Sequence, residues 1–416
     1  MSRNIRLYYL FRALSCAHLF KPFTYFYCRS RGLSVFQFMA LYAIFSGAVI
    51  LLEVPTGAWA DRLGRRRSMA LGAFAMGVAS IGYLLAHGFA AFAVFEFLFA
   101  AGLTLTSGAD SAFLFDTLKS VGRSEDYRRL EGRASSSKHL GLAVAALVGG
   151  LLASIDLRLP YVVTALVSFA GAVVALQMVE PPRRAAGRSV SWQDLRESIR
   201  LGVGLIRSSR SLFIVILYSS AIFVVIRMSD ALYQPVLKDQ GFGFLAMGLV
   251  FAGLNLVAAF SARSVCEVTR RFGDAKVLWV LPLVLVVSYI FLDALGPVMC
   301  VLLMVAQYGV TGIYSPFTKS LLNHRLGPSV VRATVLSAES ATKRLVVALV
   351  SPAVGLLLSY VSLSAGLYAL AGFGLAAAFL APAVRARRLT GEAAETSCPA
   401  PVPLVGGEVQ VGGSRG

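Results

Sequence analysis

Several ionisable residues of this chain sit inside apolar stretches, where they could take up a proton, hold a charged solute or neutralise one another. Arg227 and Asp230 are three positions apart, and Gln234 lies one further turn along the same helical face. Glu339 and Lys343 are four apart with the acid first, the order that favours a pair on one helix. Arg12, His18 and Lys21 share one apolar run, Glu53 lies in a second, and Glu96, Asp110 and Asp116 lie in a third. Placing such a group in hydrocarbon costs at least about 2.5 kcal/mol, so each is expected to face a cavity or a partner. Two readings stay open for these residues: a path for substrate and protons, or static glue between helices. Glu53 and Asp110, about two turns from the ends of their helices, either carry a proton or belong to a gate. His18, alone among Leu, Phe and Ala, is read as a packed residue. Asn255, Gln307 and Tyr314 could hydrogen-bond a substrate or serve packing equally well.

The elements that must position these residues are membrane helices. The chain has 416 residues, is 57% hydrophobic and only 14% charged, and has a mean hydropathy of +0.72. A soluble protein would carry about 25% charged residues. Apolar stretches of about 18–25 residues recur about twelve times, each long enough to cross a bilayer as a helix. In the first half they fall at 6–28, 36–60, 68–86, 90–116, 137–155 and 159–179. In the second they fall at 210–237, 243–265, 276–294, 297–319, 332–358 and 363–384. The predicted fold class is therefore an all-α polytopic membrane protein.

The formal net charge of +18 raises the question of nucleic acid, and the placement of the charge answers it. Of 39 Lys and Arg, about 30 fall in the N-terminus, the C-terminal tail and the loops after even-numbered spans, which orients both termini to the cytoplasm. Arg29, Arg31, Arg158 and Lys238 are the few in the opposite loops. The basic charge is thus a topology signal, and no nucleic-acid partner is expected. A multi-pass protein of the cytoplasmic membrane is expected, with the bilayer as its constant partner.

Other chemistries lack their residues. The five cysteines have no paired spacing, so neither a disulfide framework nor a metal site is expected. His18, His87, His139 and His324 show no spacing for a catalytic or metal motif. No Gly-x-x-x-x-Gly-Lys-Ser/Thr run exists for a nucleotide, so neither direct ATP drive nor a cofactor is expected. The terminal Gly412-Gly413-Ser414-Arg415-Gly416 matches a hydrolase elbow only by chance, having no strand or helix beside it. The chain does not read as an enzyme.

The halves repeat each other. Gly32 to Gly64 aligns without a gap onto Gly241 to Gly273, Pro22 corresponds to Pro235, and Gly108-Ala109-Asp110-Ser111 corresponds to Gly312-Ile313-Tyr314-Ser315. A repeated six-helix unit suits a transporter with a midplane site between halves. The expected organisation is an N-terminal bundle over 1–179, a cytoplasmic linker over 180–209, a C-terminal bundle over 210–384 and a disordered tail over 385–416. In the linker, Ser191 and Asp194 have capping-box spacing, and Trp192, Leu195, Ile199, Val203 and Ile206 form one apolar stripe. That helix lies either on the membrane surface or against the bundle.

Between spans 2 and 3 the sequence reads Gly57-Ala58-Trp59-Ala60-Asp61-Arg62-Leu63-Gly64-Arg65-Arg66-Arg67, a tight basic turn. In the fifth span Gly141, Ala145, Gly149 and Ala153 recur every four residues, with Gly150 beside them, a small-residue face for close helix contact. The basic run resembles the signature of the major facilitator superfamily, Gly-x-Leu-Ala-Asp-Arg-x-Gly-Arg-Arg/Lys, with Trp59 where Leu is usual. Leu52-Glu53-Val54-Pro55-Thr56-Gly57 and Tyr233-Gln234-Pro235 are similar to a bacterial branch of permeases and efflux proteins. The resemblance implies two pseudo-symmetric six-helix bundles, alternating access and a monomer. It implies that Gly57, Asp61, Arg62, Gly64, Arg65, Arg66 and Asp116 form a conformational gate, with Asp116 latching Arg62 or Arg65. It also implies that helices 1 and 7 line the cavity, which puts Arg12, Lys21, Arg227 and Asp230 on the path. Exporters of the family have Gly-Pro inside the helix-5 motif and an Arg in helix 4; here those positions hold Ala145-Ala146 and Leu98. Proton-coupled export of a small molecule is the first expectation. An importer, a uniporter of a polar metabolite and a lipid flippase remain alternatives.

Overall fold

The computed structural model describes residues 2–181, 204, 209–323 and 329–386. The expected linker helix at 191–206 and the tail beyond 386 lie outside them, apart from residue 204. Among the described residues every regular element is a helix. They run α1 (Ser2–Cys16), α2 (Thr24–Ser30), α3 (Val35–Leu63), α4 (Arg65–Leu85), α5 (Gly88–Ser107), α6 (Asp110–Lys119), α7 (Tyr127–Ile155) and α8 (Leu159–Leu176). The second half holds α9 (Arg210–Asp239), α10 (Phe244–Arg263), α11 (Val265–Phe272), α12 (Asp274–Phe291), α13 (Pro297–Asn323), α14 (Ser329–Tyr360) and α15 (Leu363–Ala386). Among the described residues eleven helical segments are long and apolar enough to cross a membrane; α1 and α2, each short by itself, together cover the first expected span. Val298, Leu349 and Phe379 stay largely exposed, as apolar side chains can where the surrounding solvent is lipid.

The two halves pack alike. In the first, α3 lies on α5, α4 on α8, and α1 on α7 and α8; in the second, α10 lies on α13, α12 on α15, and α9 on α14 and α15. Between halves, α3 packs along α14 and α7 along α10, two contacts that the repeat interchanges. The aligned glycines share a backbone state as well. Gly32 and Gly241 both have φ of 84°, and Gly64 and Gly273 have 105° and 77°, a region that only glycine enters without strain.

Three differences from the expected spans have local causes. The basic turn shrinks to Gly64 alone, because α3 and α4 extend past the apolar run and carry their arginines on helix ends. Gly57 is correspondingly inside α3, so only Gly64 makes the turn. The fourth span is split at Ser107–Ala109, where Thr104 and Thr106 turn their hydroxyls back onto the carbonyls of Ala101 and Gly102. The first span is split between Cys16 and Thr24 around a short turn of 3-10 helix, Lys21–Phe23, with Pro22 lacking an N–H. Neither break recurs in the second half: Pro235 and Gly312 lie inside unbroken α9 and α13. Cys16, Cys28 and Cys300 are free thiols, whereas Cys266 is disulfide-bonded, a pairing its spacing does not announce.

Candidate functional site

Irregular backbone at membrane depth survives only when its polar groups are satisfied by protein, and the break in the first span is cradled from three sides. Thr164 of α8 accepts a hydrogen bond from the Leu19 N–H at 3.0 Å. Gln234 of α9 accepts one from the Tyr25 N–H at 2.8 Å and donates to the Lys21 carbonyl at 3.3 Å. From α7, Gly141 and Gly149 press their bare backbone against the carbonyls of Ala13 and Leu19; a Cβ there would come within 2.5 and 2.3 Å of those oxygens. The small-residue face is thus divided. Gly141 and Gly149 serve the first span, while Gly150 meets Gly248 of α10 across the halves. Ala145 is buried on the same helix.

The break projects Lys21 across to α9. Its ammonium lies 2.7 Å from the Asp230 carboxylate, and Tyr308 of α13 donates to the other carboxylate oxygen at 2.7 Å. A small cavity of about 30 Å³, room for one or two waters, is lined here by Lys21, Asp230, Tyr308, Ala146, Phe251 and Asn255. Both halves therefore contribute to one polar centre. Arg227 and Asp230, three apart on α9, form no ion pair with each other. Asp230 is taken by Lys21, and the Arg227 guanidinium lies over the rings of Tyr42 and Phe45 of α3, 5.5 and 5.3 Å from their centroids. Glu96 of α5 is hydrogen-bonded by the Tyr83 hydroxyl. His18 packs edge-on to Phe99, as its apolar surroundings suggest.

Arg12 and Asp110 pair directly, and the break in the fourth span is what brings Asp110 to the first turn of α6. Glu131 of α7 completes this cluster: Tyr8 donates to it at 3.1 Å, Ser111 at 3.2 Å, and Arg12 lies 4.0 Å away. Sequence reasoning missed Glu131 because it precedes the apolar run of the fifth span. Its only signal was a carboxylate one turn from the start of that helix.

Glu339 and Lys343 pair on α14 as their spacing predicts. Ser219 donates to Glu339 at 2.7 Å, and Lys343 lies 5.0 Å from the Tyr314 ring centroid and 5.6 Å from that of Phe223. Tyr314 is engaged with Ser219, and Gln307 with Tyr233 and Ser288, so neither projects free groups into the cavity. Glu53 is exposed on α3, apart from the Lys21–Asp230 centre, with Arg344 of α14 in electrostatic range.

At the basic end, Arg65 pairs with Asp61 at 2.9 Å and approaches Asp116 at 3.8 Å. All three belong to the first half, so this latch does not by itself join the halves. Arg62 occupies the last turn of α3. Glu180, unremarked in the sequence, accepts from the Arg65 and Arg66 N–H groups at 2.7 and 3.0 Å and caps α4. Arg66 also binds the Met178 carbonyl at 3.1 Å, and Asn4 bonds Val179 in both directions at 2.9 Å. At the opposite end the halves touch almost backbone to backbone, at Gly150 with Gly248 and at Gly355 with Phe36 and Met39.

A family model described as Major Facilitator Superfamily matches residues 10–336. No curated protein matches the chain in sequence. In fold the chain is similar to the crystal structure of the nucleoside transporter NupG, with TM-score 0.76, 15% identity and coverage of 92% of this chain and 98% of that one. It is similar to a bacterial homolog of the human lysosomal transporter Spinster, inward-facing and unoccupied, with TM-score 0.73, 18% identity and coverage of 94% and 98%. It is also similar to a D-xylose-proton symporter, with TM-score 0.70, 16% identity and coverage of 91% and 96%. Likeness at such identities speaks for the fold and leaves substrate open. The family match over most of the chain, together with eleven membrane-length helical segments among the described residues, makes this protein a membrane transporter of the major facilitator superfamily.

Proposed function

We propose that the protein exports a small polar molecule across the cytoplasmic membrane in exchange for protons, by alternating access between its two halves. The observation that carries this reading is the Lys21–Asp230 pair, which joins the halves beside the central cavity. Asp230 can hold one positive partner at a time: the Lys21 ammonium, a proton or a cationic group of the substrate. Proton and substrate then compete for one carboxylate, which is the condition for exchange. A symporter would instead need the two to bind together. Each proton entering down a 100 mV potential supplies about 2.3 kcal/mol.

The basic end is read as cytoplasmic from the charge bias of its loops, with both termini on that side. The close glycine contacts at the other end then hold the outer side shut. In this reading Asp61, Arg65 and Asp116 order the surface against which the second half docks when the cytoplasmic side closes, with Gly57, Arg62, Gly64 and Arg66 shaping that turn. Arg12, Asp110 and Glu53 support the gate, and Gln234 holds the broken span in place. The protein acts as a monomer.

The test is proton flux in proteoliposomes loaded with a pH-sensitive dye, comparing wild type with Asp230→Asn over a panel of polar solutes. Internal alkalinisation driven by one solute, and lost in Asp230→Asn, is the expected result. Labelled solute crossing without proton movement would replace exchange by uniport. Lipid crossing that depends on the headgroup, again without proton flux, would replace it by a flippase.

A further inference from the structure

Arg227 lies 17 residues into the 30-residue α9, near the middle of the span, where an uncompensated guanidinium is most costly. Among the described residues it has neither an ion pair nor a hydrogen bond; its contacts are the faces of Tyr42 and Phe45. The carboxylates in its electrostatic range are Asp230 and Glu96, with the cation Arg344 also near. Both acids are engaged elsewhere, Asp230 by Lys21 and Tyr308, and Glu96 by Tyr83. The two rings belong to α3 and Arg227 to α9, so the guanidinium sits between the halves, as the Lys21–Asp230 pair does. Stacking on aromatic faces holds the plane of an Arg while leaving its edge of N–H donors open. That open edge matches two oxygens of one anionic group.

We propose that Arg227 is a binding site for an oxyanion of the transported molecule, a carboxylate or phosphate, fixed in orientation by Tyr42 and Phe45. Asp230 stands one helical turn away, about 5–6 Å between Cβ atoms. A substrate that meets Arg227 with its anion therefore presents its cationic group to Asp230, and the transported class is a compact zwitterion. The zwitterionic assignment rests on the proposed exchange at Asp230; the anion site does not.

The experiment labels the full-length protein in detergent with phenylglyoxal, which attacks unpaired guanidinium groups, and follows the Arg227 peptide by mass spectrometry. Arg227 is expected to label, and saturating benzoate or phenyl phosphate to slow labelling about tenfold, while neutral benzamide does not. Whichever of the two anions protects at lower concentration names the oxyanion. L-Phenylalanine is expected to protect in the wild type and about tenfold more weakly in Asp230→Asn. Absent labelling, no protection by either anion, or equal protection by benzamide overturns the anion site. Protection by L-phenylalanine that is missing, or unchanged in Asp230→Asn, overturns the zwitterionic assignment. Because labelling needs no proton movement, protection by an anion beside a failed flux assay would leave this site standing while the exchange reading falls.

Discussion

Lys21 and Asp230 belong to opposite halves of the chain, and their ammonium and carboxylate lie 2.7 Å apart. The Lys21 side chain is 43% exposed, so the pair contributes modestly to stability, about 1 kcal/mol or less. Under the proposed exchange its weight falls on coupling instead. Asp230→Asn is expected to melt within a few degrees of wild type yet to move no protons with any solute. A large fall in melting temperature would instead make the pair a structural clamp.

The contact of Gly149 with the Leu19 carbonyl gives a prediction on stability. A Cβ at Gly149 would stand 2.3 Å from that oxygen, a backbone atom of a residue whose N–H is bonded to Thr164, so it cannot swing aside like a flexible side chain. Gly149→Ala should cost about 1–3 kcal/mol through overpacking. Gly132, in the same helix with nothing within 4 Å, serves as control, and Gly132→Ala should be neutral or stabilising by up to about 1 kcal/mol. Thermal melts of the two variants in one detergent decide it.

Gly248 tests the contact between halves rather than the fold of either. Its Cβ would meet the Ala146 carbonyl at 2.7 Å and the Gly150 Cα at 2.8 Å. Gly248→Ala should fold and yet separate α7 from α10 at that end. Spin labels at Ser154 and Leu245, both exposed near these helix ends, should show a longer mean distance in the variant. An unchanged distance would mean that the interface absorbs the methyl group.

Glu180 accepts two backbone N–H bonds at the start of α4, so its loss removes a helix cap. Glu180→Ala should cost about 0.5–2 kcal/mol. Hydrogen exchange should quicken first at Arg65 and Arg66, before the rest of α4. Uniform quickening across the helix would count against a local capping role.

Glu339 and Lys343 are paired, and the surrounding hydroxyls and rings complete their contacts, an arrangement suited to holding α14 in place. Removing one partner strands a buried charge and should cost about 3–5 kcal/mol, whereas replacing both by apolar residues is often neutral. Glu339→Leu with Lys343→Met should therefore restore the stability lost in Lys343→Met alone and keep transport. A stable but inactive double variant would put the pair on the substrate path.

The sequence by itself determined the helical membrane architecture. Apolar runs of membrane length, the bias of Arg and Lys between loops and the matched glycines from Gly32 to Gly273 are local or periodic signals, readable without knowing what touches what. The pairing of Glu339 with Lys343 was legible for the same reason, since both lie one turn apart on one helix. Whatever needed two distant segments was not. Asp230 has a cation three residues away in sequence, but tertiary structure hands it Lys21 from 209 positions upstream, because the broken first span carries Lys21 across to α9. The break is invisible in hydropathy: Ala17 to Phe20 would suit an unbroken helix, and only the close approach of Gly141 and Gly149 with the bonds of Thr164 and Gln234 makes the opened backbone tolerable. Glu131 and Glu180 stayed hidden likewise, one beyond an apolar run and the other after a span, until folding placed them beside Arg12 and the start of α4. Hydrophobic periodicity records which face of a helix avoids water; which partner satisfies a buried charge is decided by how the helices meet.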